Sequence, residues 1–288
     1  MDEGAIKKYG YLGPAGTFSE EAALRYYANR GYLGEMFSSI GQLIEAVAKG
    51  MVDEALAPHE NSIEGIVTQC FDAILRSHAL KVQEEVWVPI QQNLIGLPTA
   101  TIDGIRCVLS HPQALAQCEG WLNQYLPRSA REETTSTAKA VEEVMRRGDL
   151  SNAAIGSRRA VEVCGAHILQ SEIQGMGENR TKFFVLSYEE APLTNAKCRT
   201  YVACSTAKDE PGSLNKVLRV LEEFGINMTN LQTRPARTVM GSSKMGEYVF
   251  LIEFEGDVRR LLAGSALRKI QQRTTYFRVL GSYSSRKL

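Results

Sequence analysis

Glu178-Asn179-Arg180-Thr181-Lys182-Phe183-Phe184-Val185-Leu186 carries a polar, donor-rich tetrad straight into an apolar β-like run. Gln174-Gly175-Met176-Gly177 leads up to it, an approach that glycine eases because it tolerates positive φ. An amide, a hydroxyl and two cations thus stand at the mouth of a strand. That suits a small anionic ligand; taken alone it also reads as a surface turn entering a strand. The stretch also closes one fold pattern. Behind it, short β-like runs alternate with helical patterns. Ahead of it, Glu189-Glu190-Ala191-Pro192-Leu193-Thr194-Asn195-Ala196 is polar, contains proline and reads as a linker, after which the order of elements resets.

Upstream, Tyr9-Gly10-Tyr11-Leu12 reads as a strand, and Thr17 with Glu20 forms a capping box for a helix from about Ser19. Ile40, Leu43, Ile44 and Val47 make one apolar helix face ending at Gly50. Ala55-Leu56-Ala57 reads as a short strand stopped by Pro58, and Ile66, Cys70 and Ile74 mark the next helix. Arg106–Leu109 and Ala153–Ile155 read as buried strands leading into helices at Gln113–Tyr125 and Arg158–Cys164. This rhythm predicts open α/β layers with ligand sites at the carboxyl ends of strands. Beyond the linker the pattern is strand Thr200–Cys204, helix Gly212–Phe224, strand Ile226–Arg234, strand Tyr248–Phe254, helix Val258–Gln272 and strand Tyr276–Tyr283. That βαββαβ order is a split ferredoxin-like unit.

Bulk composition narrows the partner. Lys+Arg and Asp+Glu balance at 33 each in 288 residues, so no global field points to nucleic acid or a membrane surface. A small molecule, recognised locally, is the expected partner. The six cysteines form no C-x-x-C and have no histidine at metal-ligand spacing, so no metal is expected. The chain opens Met-Asp-Glu-Gly without a basic-then-apolar leader, and no apolar run reaches the roughly 18 residues of a span. A cytoplasmic location is expected.

Four turns share one design, a strand end followed by small polar residues at a helix start. They are Gly13-Pro14-Ala15-Gly16-Thr17-Phe18-Ser19, Glu60-Asn61-Ser62-Ile63-Glu64-Gly65, Ser110-His111-Pro112-Gln113 and Thr134-Thr135-Ser136-Thr137. Helix starts leave backbone N–H groups unpaired and bind carboxylates without needing Lys or Arg. Singly, each is an ordinary N-cap. Together with the Asn-Arg-Thr-Lys entry they suggest convergence on one anion-rich ligand. No P-loop, dinucleotide fingerprint or G-x-S-x-G elbow is present. His59 and His111 read as capping or structural residues, and no cofactor is expected.

Gly13-Pro-Ala-Gly-Thr-Phe-Ser19, Glu60-Asn-Ser-Ile-Glu-Gly65, Ser110-His-Pro-Gln-Ala-Leu-Ala-Gln-Cys118, Thr135-Ser-Thr137 and Asn179-Arg-Thr-Lys-Phe183 occur in this order. So arranged, they closely resemble the prephenate dehydratase family, and the βαββαβ tail resembles that family's ACT regulatory domain. The resemblance implies a catalytic domain over 1–188 made of two α/β lobes like type II periplasmic binding proteins. The second lobe would span roughly 92–172, followed by a linker at 189–197 and an ACT domain at 198–288. It implies a carbon–oxygen lyase that converts prephenate to phenylpyruvate, without a fused chorismate mutase domain. An arogenate dehydratase and a non-catalytic two-lobed sensor are the rival expectations.

The resemblance also implies roles. Thr181 is the donor to the departing hydroxyl, and Asn61, Ser110 and Gln117 orient the substrate. Gly16, Thr17, Ser62, Thr135, Ser136, Thr137, Arg180 and Lys182 are expected as substrate ligands, with Phe183 packing the ring. The family usually has Arg where Lys182 stands, and Lys lacks the bidentate fork. Family members bind phenylalanine between ACT domains through a Gly-Ala-Leu turn and a Glu-Ser-Arg-Pro segment. Here those read Pro211-Gly212-Ser213-Leu214 and Gln232-Thr233-Arg234-Pro235, with Asn227 between them. A homodimer or homotetramer with L-phenylalanine as allosteric ligand is therefore expected.

Overall fold

The structure, a computed structural model, describes residues 6–288 apart from 78, 176, 178, 194–196, 207–209 and 237–247. Met176 and Glu178 of the opening stretch, and the linker at 194–196, lie outside the described residues.

Two sheets organise the chain. The smaller one contains β6 (Asn93–Gly96), β7 (Cys107–Ser110), β8 (Ala130–Glu133), β9 (Asn152–Gly156) and β10 (His167–Gln170), in the order β10-β6-β9-β7-β8. Helices α4 (Pro112–Gln117), α5 (Glu119–Tyr125), α6 (Thr137–Arg147) and α7 (Arg158–Cys164) complete this lobe. The predicted helix over Gln113–Tyr125 is two helices, broken at Cys118, whose φ −101° and ψ 2° leave the helical region. Cys118 is buried against Leu115 and Leu122, so the break turns both helices' apolar faces into one core.

The larger sheet holds two units at once. Lobe 1 supplies β1 (Lys8–Leu12), β2 (Leu33–Phe37), β3 (Glu54–Asn61), β5 (Lys81–Pro89) and β11 (Arg180–Ser187), with the short β4 (Gly65–Ile66) paired to β3. The ferredoxin-like unit supplies β12 (Cys198–Thr206), β13 (Met228–Pro235), β14 (Tyr248–Glu255) and β15 (Thr274–Lys287), with α8 (Ser213–Glu223) and α9 (Leu261–Gln271) on one face. The order is β13-β14-β12-β15-β5-β11-β3-β1-β2. β15 overruns its unit by pairing in parallel with β5, Ser284 against Glu84 through Lys287 against Trp87.

In lobe 1, α1 (Phe18–Tyr27) covers one face of the sheet with Tyr9, Ala22, Tyr26 and Tyr27. The apolar stripe Ile40, Leu43, Ile44 and Val47 of α2 (Ile40–Ala48) covers the other, beside α3 (Thr68–Arg76). β3 runs through Pro58 rather than stopping there. Opposite it, β11 pairs Phe183 with Pro58 and Lys182 with Glu60, so His59 is the extra residue of a bulge. A bulge is where a strand tolerates a residue without an N–H to give.

Where the units join, charge is buried. Glu85 on β5 lies 3.0 Å from His59 Nε2, both nearly sealed from solvent, and accepts from Ser285 Oγ of β15. Burial opposes the Glu85 charge, but His59, Ser285 and Lys182 outweigh it and hold the carboxyl down at about 2. Arg278 of β15 donates to the carbonyls of Ile74, Leu75, Ser77 and Leu80, capping the C-terminus of α3 from the neighbouring unit.

Candidate active site

A cavity of about 240 Å³ opens between the two lobes. Thr17, Phe18, Asn61, Glu64, Ile90, Gln92, His111, Gln117, Thr135, Ser136, Thr137, Asn179 and Thr181 are among its walls. No Lys or Arg is among the described lining residues. Neutral donors and helix starts must therefore hold any anion there.

Strand pairing builds its floor. β3 ends at Asn61 where antiparallel β11 begins, and the register sets Asn61 opposite Thr181. Asn61 Oδ1 accepts the backbone N–H groups of Ile63 and Glu64 at 2.9 and 3.1 Å, an Asx-type turn that pins the amide. Its Nδ2 then donates to Thr181 Oγ1 at 3.0 Å and to Asn179 Oδ1 at 2.8 Å. Asn179 Nδ2 donates onward to Gln117 Oε1 at 3.0 Å, which crosses into the second lobe. Because Thr181 Oγ1 receives a hydrogen from an amide that cannot accept one, its own O–H is left to donate elsewhere.

The walls are helix starts. Thr17 caps α1 by accepting Glu20 N at 3.3 Å, and Ser136 caps α6 by accepting Lys139 N at 3.0 Å. The Glu20 carboxylate reaches back to Gly16 N at 2.6 Å, one residue beyond the N-cap N–H of the usual reciprocal box. Across the cleft, Ser157 Oγ donates to Gly16 O at 2.7 Å and Arg159 approaches Glu20 to 3.2 Å, so the lobes are tied beside α1. Gly16 has φ +82°, and a Cβ there would meet Ala160 Cα at 3.1 Å; glycine permits both the turn and the close approach.

Several expected ligands stand elsewhere. Ser110 is fully buried and donates to Ile155 O at 2.8 Å, bracing β7 against β9 beneath the cavity. Ser62 and Arg180 exchange hydrogen bonds, Ser62 N to Arg180 O at 2.9 Å and Arg180 N to Ser62 Oγ at 3.0 Å, while the Arg180 guanidinium lies 4.8 Å from the Trp87 ring. Lys182 faces away from Thr181 and pairs with Glu60 at 2.7 Å, because strand alternation sends neighbours to opposite faces. Phe183 is fully buried in the lobe 1 core among Tyr9, Leu56 and Val86, not against a ligand. Alternation thus sends Arg180 and Lys182 to the face opposite Thr181.

Asn179, Gln92, Glu64 and Ile90 line the cavity without having been singled out as ligands. Asn179 stood inside the quoted motif; Gln92 carries no local signal, because only the connection between β5 and β6 brings it in. Partial enclosure at the rim raises the Glu64 carboxyl above its ordinary value, with nearby His111 opposing.

In the ferredoxin-like unit, Pro211 and Gly212 form the turn before Ser213 and Leu214 open α8, and Gly212 takes φ +83°. Asn227 O accepts Glu255 N at 2.9 Å just ahead of β13, and Pro235 ends that strand. Gln232 Nε2 donates to Tyr201 OH at 2.8 Å, and Thr233 pairs with Phe250 of β14. Arg234 does not wait for a ligand: its guanidinium holds Asp72 of α3 in lobe 1.

Two α/β lobes enclosing a polar cleft, fused through one sheet to a βαββαβ unit, define a two-lobed α/β protein with an appended ferredoxin-like unit. Residues 9–191 match the prephenate dehydratase family and 201–272 match the ACT domain. The chain belongs to the prephenate dehydratase family, whose members are carbon–oxygen lyases. It is 34% identical to a bifunctional chorismate mutase/prephenate dehydratase of Aquifex aeolicus, over 96% of this chain and 73% of the relative. It is also 34% identical to arogenate dehydratase 5, chloroplastic, of Arabidopsis thaliana, over 97% of this chain and 68% of that one. The solved prephenate dehydratase of Arthrobacter aurescens in complex with L-Phe superposes with a TM-score of 0.87 at 28% identity, covering 96% of this chain and 90% of that one.

Proposed function

We propose that this chain converts prephenate to phenylpyruvate, with the Asn61–Thr181 pair at the cleft floor as the observation that carries the reading. The substrate is a dianion with a ring hydroxyl. One carboxylate suits the N-terminus of α1 at Thr17, the other the N-terminus of α6 at Thr135, Ser136 and Thr137. Departure of the ring carboxylate as carbon dioxide sends its electron pair into the ring. The ring C–O bond breaks, and the hydroxyl leaves as water after taking one proton. Thr181, held as a donor, delivers that proton and is resupplied from solvent. Aromatisation drives the step, so orientation and one fixed donor suffice.

The decisive assay follows phenylpyruvate absorbance with purified protein and prephenate. Absence of turnover on both prephenate and arogenate would leave only a binding role. Arogenate is the second reading, favoured by one observation: Glu64 is an acid at the cleft rim, suited to an ammonium group. Comparing kcat/KM on the two substrates separates them.

L-Phenylalanine is proposed as inhibitor, bound at the Pro211–Leu214 turn and near Asn227 where two ACT units meet. Among the described residues β13 is the terminal strand of its sheet, and no described strand pairs with its outer edge, which suits such a contact. Light scattering with and without phenylalanine tests the expected homodimer or homotetramer. No helix among the described residues is long and apolar enough to cross a membrane. The buried thiols of Cys70, Cys118 and Cys204 suit the reducing cytoplasm proposed as its location.

A further inference from the structure

Gln92 lies in the short connection between β5 and β6, where the chain passes from one sheet to the other. Its backbone is fully engaged: the N–H donates to Gln174 Oε1 at 2.9 Å and the carbonyl accepts Ile173 N at 2.8 Å. The side chain is 4% exposed and lines the cavity. Nε2 donates to Gln117 Oε1 at 3.3 Å. Oε1 is buried and has no hydrogen-bond partner among the described residues. A buried amide oxygen left this way is costly unless something arrives to pair with it.

Which end of an amide is oxygen must be settled by its neighbours. Here the backbone settles it. Ile63 and Glu64 N–H groups can only donate, so the Asn61 atom they meet is Oδ1. Asn61 Nδ2 therefore faces Asn179, which answers with Oδ1. Asn179 Nδ2 then faces Gln117, which answers with Oε1. Gln92 meets that same Oε1 and has to offer Nε2. Reversing Gln92 would set two carbonyl oxygens against each other. The polarity started at the Asn61 turn thus ends in one uncommitted acceptor, Gln92 Oε1.

We infer that Gln92 is a substrate-binding residue whose Oε1 accepts the hydrogen of the substrate's ring hydroxyl. This rests on the proposed reaction. The prephenate dianion has two carboxylates and a ketone, which only accept; its one donor is the ring O–H. Gln92 and Thr181 line the same cavity and divide that hydroxyl between them. Gln92 takes its hydrogen, and Thr181 gives one to its oxygen. Both contacts orient the C–O bond before it breaks. The leaving oxygen keeps the hydrogen held by Gln92, gains the one from Thr181, and departs as water.

Calorimetric binding of cyclohexane dicarboxylate analogues that cannot aromatise tests this, in 4-hydroxy, 4-methoxy and 4-deoxy forms. Wild-type turnover of prephenate is measured first, so that failure of the reaction itself is seen separately. Wild-type protein is expected to prefer the hydroxyl form over the methoxy form by about three- to tenfold, the range of one neutral hydrogen bond, and over the deoxy form by more, since that form also loses the Thr181 contact. Gln92→Met, of similar length without an acceptor, should bring the hydroxyl and methoxy forms within about twofold, while the deoxy form stays weaker because it lacks the oxygen that Thr181 meets. Gln92→Glu keeps the acceptor and should keep the preference, at lower affinity for every dianion; it also serves if the Met variant does not fold. Turnover of prephenate without any preference for the hydroxyl over the methoxy form in the wild type, or an undiminished preference of that kind in Gln92→Met, overturns the assignment.

Discussion

Arg234 on β13 clasps Asp72 on α3 with two parallel hydrogen bonds, Nε to Oδ1 at 2.7 Å and Nη2 to Oδ2 at 2.5 Å. The pair joins the ferredoxin-like unit to the helix that follows the Asn61–Ile66 turn of the cleft. Arg278 grips the C-terminus of the same helix. Movement of the regulatory unit thus has a direct mechanical route to the turn that pins Asn61. Asp72→Ala should lower unfolding stability by about 1.5–3 kcal/mol, the worth of charge-assisted bonds. It should also shift the phenylalanine dose-response to higher concentration. Arg234→Ala should match it, and the double variant should add little. Additive losses in denaturant titrations would show that the two residues act separately.

Thr181 is the residue whose loss should cost the chemistry itself. Thr181→Ala is expected to reduce kcat roughly 10²–10⁴-fold, the range for a positioned proton donor. Thr181→Ser keeps the hydroxyl and should retain much more. KM should change little in either, because neither variant alters the helix starts that hold the carboxylates. Equal kcat losses in the two would assign Thr181 to packing instead.

Glu64 predicts a pH dependence with a definite sign. Enclosure raises its carboxyl above the ordinary value of 4.5, against the pull of His111. Below its titration the group is neutral and leaves a dianion undisturbed. As pH rises through it the carboxylate repels the substrate, so kcat/KM for prephenate should fall in that window. Glu64→Gln should flatten that limb, and an unchanged profile in the variant would clear Glu64 of the effect. For arogenate the slope should be weaker, because its ammonium gains from the same charge.

Much of the scaffold was legible because short-range physics decided it. Thr17 capping α1 and the stripe Ile40, Leu43, Ile44, Val47 needed only local spacing. β5 carries no such signal: Gln83, Glu84 and Glu85 break any apolar run, and Glu85 is 1% exposed only because His59 and Ser285 meet it from distant strands. β15 looked finished at Tyr283, since Ser284-Ser285-Arg286-Lys287 is polar; its added length is stabilised by pairing with β5. At the site, Asn61, Gln117 and Thr181 came through the motif. Gln92 lay outside every motif and Asn179 sat within one without a role, because their work is to pass on a hydrogen-bond polarity that exists only once two lobes meet.

The fused sheet carries its own test at Gly281 on β15. A Cβ there would collide with the Val82 carbonyl oxygen on β5 and crowd its Cβ at 3.0 Å. The obstacle is backbone within a paired strand, which cannot rotate away as a side-chain tip would. Gly281→Ala should therefore force β15 off β5 and cost about 1–3 kcal/mol, as overpacking does. Gly120, inside α5, is the matched control: nothing lies within 4 Å of an added Cβ. Gly120→Ala should stabilise by about 0.5–1 kcal/mol through helix propensity alone. Chemical denaturation of both variants should move the midpoint in opposite directions. A Gly281→Ala midpoint equal to wild type would mean that the two strands do not pack as described.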